Sequence, residues 1–166
     1  MILRWQFVTE NDFGSRAIQY ATSGRASHVG FLLDDDSELG ARFDKVTVKG
    51  KTYKRGVQIR PRGYSDFATR TVIAHEVPDA VGCRYREFLF NCINDSYDWR
   101  AIISFFGTRD WREPGQWICS ELQAAAWEYA WMTRRLFSHA NKISPVGFAL
   151  VVTGSGGYID EQGWYQ

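Results

Sequence analysis

The stretch PGQWICSELQAAAWEYAWMTRRLF, residues 114–137, predicts a turn followed by a long helix that begins at Cys119. Apolar residues recur at three- and four-residue spacing from Leu122 onwards, which is typical of a helix with one buried face. A cysteine at a helix start lies beside backbone N–H groups that the helix leaves unpaired. Because the positive end of the helix dipole favours the thiolate, this position indicates a reactive thiol. By position alone, an inert structural cysteine is the commoner explanation.

A second stretch, SHVGFLL at residues 27–33, predicts a buried strand with a histidine at its entry. A polar ring at a strand end can reach across to a helix N-terminus, and Gly30 lets another segment approach closely. A neutral histidine can take a thiol proton and later pass it to the leaving group. His28 alone would be explained as a surface histidine, but together with Cys119 it predicts a base beside a nucleophile.

A base histidine needs a third group that holds its ring in the correct tautomer. Gln58, on the predicted strand GVQIRP, is our candidate because an amide oxygen can accept a hydrogen bond from the ring. A solvent-facing strand position explains Gln58 nearly as well, and Arg60 and Glu76 are the substitutes. His75 and His139 are assigned structural roles.

The rest of the chain predicts strands and helices that are segregated along the sequence, which is the pattern of an α+β domain. One domain is expected over residues 1–166, since that length suits a single core. The predicted elements are a short opening strand, a helix over 13–23 capped by Asp12 or a neighbour and stopped by Gly24, an acidic turn after Leu33, a hairpin about Lys49-Gly50, strands over 56–61 and 71–77, helices from Asp79 and from Asp98, and a final strand VGFALVV at 146–152.

Composition excludes several classes of protein. Hydrophobic residues make up 45% and charged residues 23%, which is a globular balance rather than a disordered one. A formal net charge of +1 argues against a nucleic-acid binder. Cys83, Cys92 and Cys119 are an odd set without CxxC spacing, so neither a disulfide framework nor a zinc site is indicated. We predict no metal and no cofactor.

The N-terminal residues MILRWQFVTEND have neither the charged start nor the apolar core of a secretory signal. No stretch approaches the roughly 20 apolar residues that a membrane-spanning helix needs. We therefore expect synthesis in the cytoplasm and no transmembrane segment.

Three short motifs occur in a distinctive order: SHVGFLL at 27–33, YDW at 97–99 and WICSEL at 117–122, with a Ser144-Pro145 step further on. Together they resemble the circularly permuted NlpC-type papain-like hydrolases of the YiiX-like branch. In ordinary papain-like enzymes the cysteine helix precedes the histidine strand, whereas this branch has the reverse order, as here. The resemblance implies a papain-like α+β fold in which a mostly antiparallel central sheet packs against helices and the nucleophile lies at a helix N-terminus.

The same resemblance implies roles for individual residues. Cys119 would be the nucleophile, His28 the base, and Gln58 would fill the position of the third polar residue. Tyr97 would line the substrate pocket or help to stabilise the oxyanion. Glu121 would give electrostatic support in the first helical turn, although simple helix capping is the plainer explanation.

We therefore predict a cysteine hydrolase that cleaves an amide bond in a peptidoglycan-type peptide or a related acyl substrate. A lipid or ester acyl hydrolase, or an acyltransferase, would use the same chemistry. The alternative is a non-catalytic binding or assembly module that keeps the fold, which a glutamine at the third position and the missing export signal favour. A phage-encoded enzyme carried in the virion or released by lysis is a further conjecture.

Overall fold

A six-stranded sheet organises the chain, and its strands come from both ends of the sequence. The computed structural model describes residues 1–11, 13–98, 100, 115–132 and 143–164. In chain order the elements are β1 (Ile2–Thr9), α1 (Phe13–Thr22), β2 (His28–Leu32), β3 (Glu38–Arg42), β4 (Val46–Val48), β5 (Lys51–Tyr53), β6 (Gly56–Arg60), β7 (Thr69–Glu76), α2 (Asp79–Asn91), β8 (Ser96–Tyr97), β9 (Gln116–Trp117), α3 (Cys119–Trp131), α4 (Pro145–Gly154) and β10 (Tyr158–Trp164).

The strand order in this sheet is β10-β7-β1-β2-β3-β6, and every neighbouring pair is antiparallel. Two small pairs lie outside it: the β4–β5 hairpin and the parallel pair β8–β9. The hairpin turns at Lys49 and Gly50, which both have positive φ, 48° and 79°. Positive φ at both central residues suits the twist of a two-residue hairpin turn, so the predicted hairpin is confirmed. The α+β class with a mostly antiparallel central sheet is confirmed as well.

The two faces of the sheet differ in chemistry because side chains alternate along each strand. On β1, Trp5 lies on the face that carries the helices, and Gln6 lies on the opposite face. Trp5 contacts the rings of Tyr85 on α2, Trp127 on α3 and Phe148 on α4, with centroid distances of 5.5, 5.8 and 5.9 Å. These contacts place the apolar core between the sheet and the three helices. The opposite face carries polar side chains such as Gln6 and His28 beside apolar ones such as Val8 and Val72.

Two segments differ from the sequence prediction. VGFALVV forms helix α4 rather than a strand, because Ser144 caps the helix by accepting a hydrogen bond from the Gly147 N–H at 3.0 Å. Pro145 at the first helical position has the φ that a helix start requires. The last strand is instead β10, which follows that helix in the chain. The predicted acidic turn after Leu33 is followed at once by strand β3, which the sequence analysis did not identify.

Some predictions fall on residues outside the described part of the chain. These are the cap at Asp12, the helix predicted from Asp98 through residue 106, the end of the long helix beyond Met132, and His139. Among the described residues, α3 ends at Met132, whose φ of 52° is left-handed. None of the described helices combines the length and apolar character that crossing a membrane requires.

The core contains a buried hydrogen-bond chain that can be tested by removing one oxygen atom. The Trp5 Nε1–H donates to the Tyr85 hydroxyl at 2.7 Å, and that hydroxyl donates to the Gln123 side-chain oxygen. We expect Tyr85→Phe to lower the free energy of unfolding by about 1–3 kcal/mol, because two buried polar groups lose their partner. Urea denaturation measures the loss. Tyr158→Phe, at a half-exposed tyrosine, is the control, and an equal loss in both variants would contradict the assignment.

Candidate active site

Cys119 is the first residue of helix α3, and its sulfur lies against strand β2. Ile118 precedes it in an extended conformation and makes no side-chain cap to the helix. The backbone N–H of Val29 faces the Cys119 sulfur and lowers the pKa of the thiol. Only 5% of Cys119 is exposed. The thiol is therefore held by a strand on one side and by the N–H groups of the first helical turn on the other.

His28, the first residue of β2, contacts both Cys119 and an acidic residue. Its Nε2 lies 2.8 Å from Oε1 of Glu38, and the ring lies beside the Cys119 sulfur, with which it interacts electrostatically. Glu38 is ionised and can only accept, so Nε2 carries a hydrogen and the other ring nitrogen, Nδ1, is the one available to the sulfur. The sequence places these three residues in two separate stretches, 28–38 and 119. The fold brings them together so that the imidazole contacts both the sulfur and the carboxylate.

Glu38 reaches His28 because a glycine lies between them on the sheet surface. Glu38 begins β3 and pairs with Leu32 of β2, while Gly30 lies two residues before Leu32 on the same face. A Cβ at Gly30 would overlap the carboxyl group of Glu38 and lie 2.8 Å from its Oε1. Since glycine has no side chain, the Glu38 side chain lies across β2 and reaches the ring. Gly30 is needed here for space and not for its backbone angles.

Glu38 is held by more than His28. The Tyr64 hydroxyl donates to the same oxygen, Oε1, at 3.0 Å, and the Gln6 amide donates to Oε2. Gln6 is itself fixed, because Nε of Arg70 donates to its side-chain oxygen at 2.9 Å. A carboxylate with three donors has little freedom to turn away from the ring. These contacts place Glu38 as the group that orients His28.

The ion pair shifts the pKa values of both partners. Burial opposes the charged form of His28, but the Glu38 carboxylate and Cys119 together outweigh it and raise the pKa from 6.5 to about 9. Burial likewise opposes ionisation of Glu38, yet His28, Arg42 and Gln6 lower its pKa from 4.5 to about 2. His28 therefore stabilises the fold fully below pH 6.5 and loses this effect as the pH rises through about 9. Glu38 contributes fully above pH 4.5 and loses its effect as the pH falls through about 2.

Cys119 has a lowered pKa despite its burial. Burial alone would raise the pKa of the thiol, but the charge and hydrogen bond of His28, the Val29 N–H and the Arg42 guanidinium together bring it below the ordinary value. Below the pKa of His28 and above that of Cys119, the pair is a thiolate beside an imidazolium. That is the ionisation state in which a cysteine is nucleophilic.

The space around the sulfur is small. A cavity of about 10 Å³ adjoins Cys119 and His28, which is room for roughly one water molecule. Ser15 and Ile18 of α1 form part of its wall, and Tyr97 lines it as well. Burial, followed by the nearby Cys119, raises the pKa of Tyr97 well above the usual value, so its hydroxyl stays protonated and can donate a hydrogen bond. Tyr97 thus lines the same small cavity as the sulfur.

Gln58 does not take the position predicted for it. It lies on β6, opposite Gly40, and its amide donates to the backbone oxygen of Lys54 at 2.6 Å. Glu38 contacts the His28 ring instead, from β3, the strand that lies between β2 and β6. The observed arrangement is therefore Cys-His-Glu, and the predicted Cys-His-Gln arrangement is not formed.

The two substitutes for Gln58 are elsewhere too. Arg60 pairs with Asp44 at 2.8 Å. Glu76 pairs with Ile2, at the opposite end of β1 from Val8, which pairs with His28.

Two further predicted residues have clear positions. Glu121 is buried in the first turn of α3, and among the described residues it is not part of the wall around Cys119. His75 lies with its ring nitrogens 2.7 and 2.8 Å from the backbone oxygens of Glu76 and Ser155. It also stacks edge-on against Trp127, which fits the structural role assigned to it.

The sequence held a signal for Glu38 that we did not use. The run Glu38-Leu39-Gly40-Ala41-Arg42 alternates polar or small residues with apolar ones, which is the strand period of two. The preceding acidic turn joins it to β2 as a hairpin. A strand paired beside the histidine strand would have placed Glu38 within reach of His28.

Within the described residues no group of three or more histidines, cysteines and carboxylates is arranged to hold a metal ion. Comparison with known proteins adds no relative: no family model matches the chain, and no curated protein matches its sequence. The argument for function therefore depends on the geometry of the site.

Filling the space at Gly30 tests whether Glu38 controls the thiol. We expect Gly30→Ala to displace the Glu38 carboxyl, to lower the pKa of His28 and to slow alkylation of Cys119 by iodoacetamide at neutral pH by about tenfold. Peptide mass spectrometry resolves Cys119 from the exposed Cys83. Gly154→Ala is the control, because a Cβ there meets no atom within 4 Å. A folded Gly30→Ala protein with unchanged Cys119 reactivity would contradict the assignment.

The pH dependence of alkylation gives a second test. In Glu38→Gln the carboxylate no longer raises the pKa of His28, so the imidazolium that favours the thiolate is lost at lower pH. We expect the midpoint of Cys119 alkylation to move up by about one pH unit or more. The profile of Cys83 in the same digest is the internal reference. Glu76→Gln, at an exposed glutamate, should leave the midpoint in place, and an unmoved midpoint in Glu38→Gln would refute the role of Glu38.

Proposed function

We propose that the protein is a cysteine-dependent hydrolase of papain-like architecture that cleaves an amide bond, in a peptidoglycan-type peptide or a related acyl substrate. One observation carries the proposal: the His28 ring interacts with the Cys119 sulfur, beside which it lines one small cavity, and hydrogen-bonds the Glu38 carboxylate. Nucleophile, base and orienting group in one line are the arrangement that acyl transfer through a thiol needs.

Each of the three residues has a defined task in the reaction. The Cys119 thiolate attacks the carbonyl carbon and forms a tetrahedral intermediate. His28, protonated at that stage, gives its proton to the leaving amine as the C–N bond breaks, which leaves a thioester on Cys119. A water molecule then gives a proton to His28 and attacks the thioester, which releases the acid and restores the Cys119 thiolate beside the protonated ring. Glu38 keeps the ring oriented throughout and stabilises its charged form.

The start of α3 supplies groups for the developing negative charge. Backbone N–H groups of the first helical turn, including that of Cys119, have no side-chain cap and lie at the positive end of the helix dipole. Tyr97, protonated and beside the sulfur, is a second donor. Donors that are already in place when the oxyanion forms lower the barrier without rearrangement.

The alternative of a non-catalytic module loses one of its two arguments. That argument was a glutamine at the third position, and Glu38 contacts the His28 ring instead. The order of the histidine strand before the cysteine helix supports the permuted papain-like architecture. The amide preference remains part of the proposal, since ester and lipid acyl groups would react through the same thiolate.

Substrate entry requires the wall around Cys119 to open. A cavity of about 10 Å³ does not admit an acyl group. Ser15 and Ile18 belong to α1, a helix of ten residues, and a helix of this length derives most of its stability from packing. Outward movement of α1 is therefore the most economical way to expose the sulfur.

The test offers one acyl group in three forms: as an amide in a peptidoglycan stem peptide, as an oxygen ester and as a phospholipid ester. We expect turnover of the amide, with an acyl group trapped on the Cys119 peptide after acid quench. Cys119→Ala should reduce turnover by about 10³-fold or more, since the covalent route is lost.

Cys83→Ala is the matched control, because it removes an exposed cysteine on α2 and should leave the rate unchanged. Turnover of the esters alone would transfer the proposal to the lipid or ester class. Turnover that survives Cys119→Ala, or the absence of any turnover and any trapped acyl group, would reject the hydrolase.

A further inference from the structure

A large cavity lies on the polar face of the sheet, away from the sulfur. Its volume is about 540 Å³, within the range of roughly 300–1,000 Å³ that is usual for small-molecule sites. Gln6, Glu38 and Arg70 form its floor, and the connection between β6 and β7, residues 61–68, arches over it. The cavity and the small space around Cys119 have no described wall residue in common. The His28–Glu38 contact separates them.

The floor of this cavity is fixed before any ligand arrives. Gln6, Glu38, Tyr64 and Arg70 are all buried, and hydrogen bonds connect them in sequence from Arg70 to Gln6 to Glu38 to Tyr64. Nη1 of Arg70 also pairs with Glu161 at 2.7 Å, which holds the end of the chain of contacts in place. A polar floor that needs no rearrangement costs little entropy when a ligand binds.

The wall and the rim define the chemistry of the ligand. Tyr64 and Phe67 meet edge to face at 5.5 Å and give the cavity an aromatic wall. At the rim, Arg62 is 69% exposed and bonds Asp36 through Nη1. Asp66 is exposed on the same loop. Cationic and anionic groups beside an apolar wall suit a ligand that carries both charges and an apolar side chain.

We propose that this cavity binds a free α-amino acid with an apolar side chain, and that the bound ligand alters the reactivity of Cys119 through Glu38. The carboxylate of the ligand would face Arg62, its ammonium group would face Asp66, and its side chain would pack on Phe67. Strong anions and polycations are disfavoured, because each would meet a like charge at the rim.

Tyr64 is the connection between the cavity and the thiol. Its ring belongs to the cavity wall, and its hydroxyl donates to the Glu38 oxygen that accepts from His28. A ligand packed on this wall changes how tightly the hydroxyl is held against Glu38. Since Glu38 sets the charge and position of His28, the effect reaches Cys119.

Binding is tested by ligand-observed NMR with three probes: L-phenylalanine, its amide, which lacks the carboxylate, and N-acetyl-L-phenylalanine, which lacks the ammonium group. We expect saturable binding of phenylalanine and affinities at least about tenfold lower for each derivative, the equivalent of one charged contact. Phe67→Ala and Arg62→Ala should each weaken phenylalanine by about tenfold. Arg86→Ala removes an arginine that pairs with Asp34 away from the cavity, and it should change nothing.

Coupling is tested by the rate of Cys119 alkylation with and without saturating phenylalanine. We expect at least about a twofold change in the parent protein and none in Tyr64→Phe, which keeps the aromatic wall but lacks the hydroxyl. The site would be overturned if phenylalanine showed no saturable binding. It would also be overturned if both derivatives bound as tightly as phenylalanine and neither Phe67→Ala nor Arg62→Ala weakened binding. Binding with no effect on Cys119 would overturn the coupling. Neither measurement needs substrate turnover, so failure here is distinct from failure of the proposed hydrolase.

Discussion

The site depends on a buried ion pair between His28 and Glu38. Taking two charges out of water is costly, and a buried pair is stable only when its remaining hydrogen-bonding groups are satisfied. Here the carboxylate accepts from Tyr64 and Gln6 in addition to His28, and the ring interacts with the Cys119 sulfur. The fold therefore buries the charged Glu38 side chain to 2% exposure, although an apolar side chain in its place would lose less hydration free energy. His28 therefore stays protonated beside the Cys119 sulfur.

Arg42 adds a second charge to this balance, and its effects oppose each other. It lowers the pKa of His28 by repulsion and lowers the pKa of Cys119 by attraction. Its own charge is balanced by Glu10 at 2.5 Å and Asp44 at 3.0 Å, so the guanidinium is held in place rather than free to pair with the thiolate. The net arrangement favours a thiolate beside an imidazolium. Burial alone does not decide the state of the thiol, because His28 first, and then Val29 and Arg42, lower the pKa that burial raises.

Local sequence patterns were enough to predict the nucleophile and the histidine of the site. Cys119 at a helix start and His28 at a strand entry each follow from a stretch of about seven residues, and the structure brings them together. Glu38 was missed because its strand is short and follows an acidic turn whose composition suggested only a loop. Helix α4 was missed because VGFALVV has no polar face to mark a helical period. Pairing with β2 decided the structure of β3, whereas the Ser144 cap and Pro145 decided that of α4. Gln58 was chosen because the strand containing Glu38 had not been recognised.

Strand β3 contributes to both the thiol site and the large cavity. Glu38 orients His28 on one side and forms the floor of the large cavity on the other, so a single carboxylate is shared by the thiol site and the polar face. Its register is fixed by the pairing of Leu39 with Phe31 and with Ile59. A slip of one residue would turn Glu38 into the apolar core and Leu39 onto the polar face. The apolar side chains of β3 therefore hold the polar site in register, and the core and the site are stabilised by the same strand pairing.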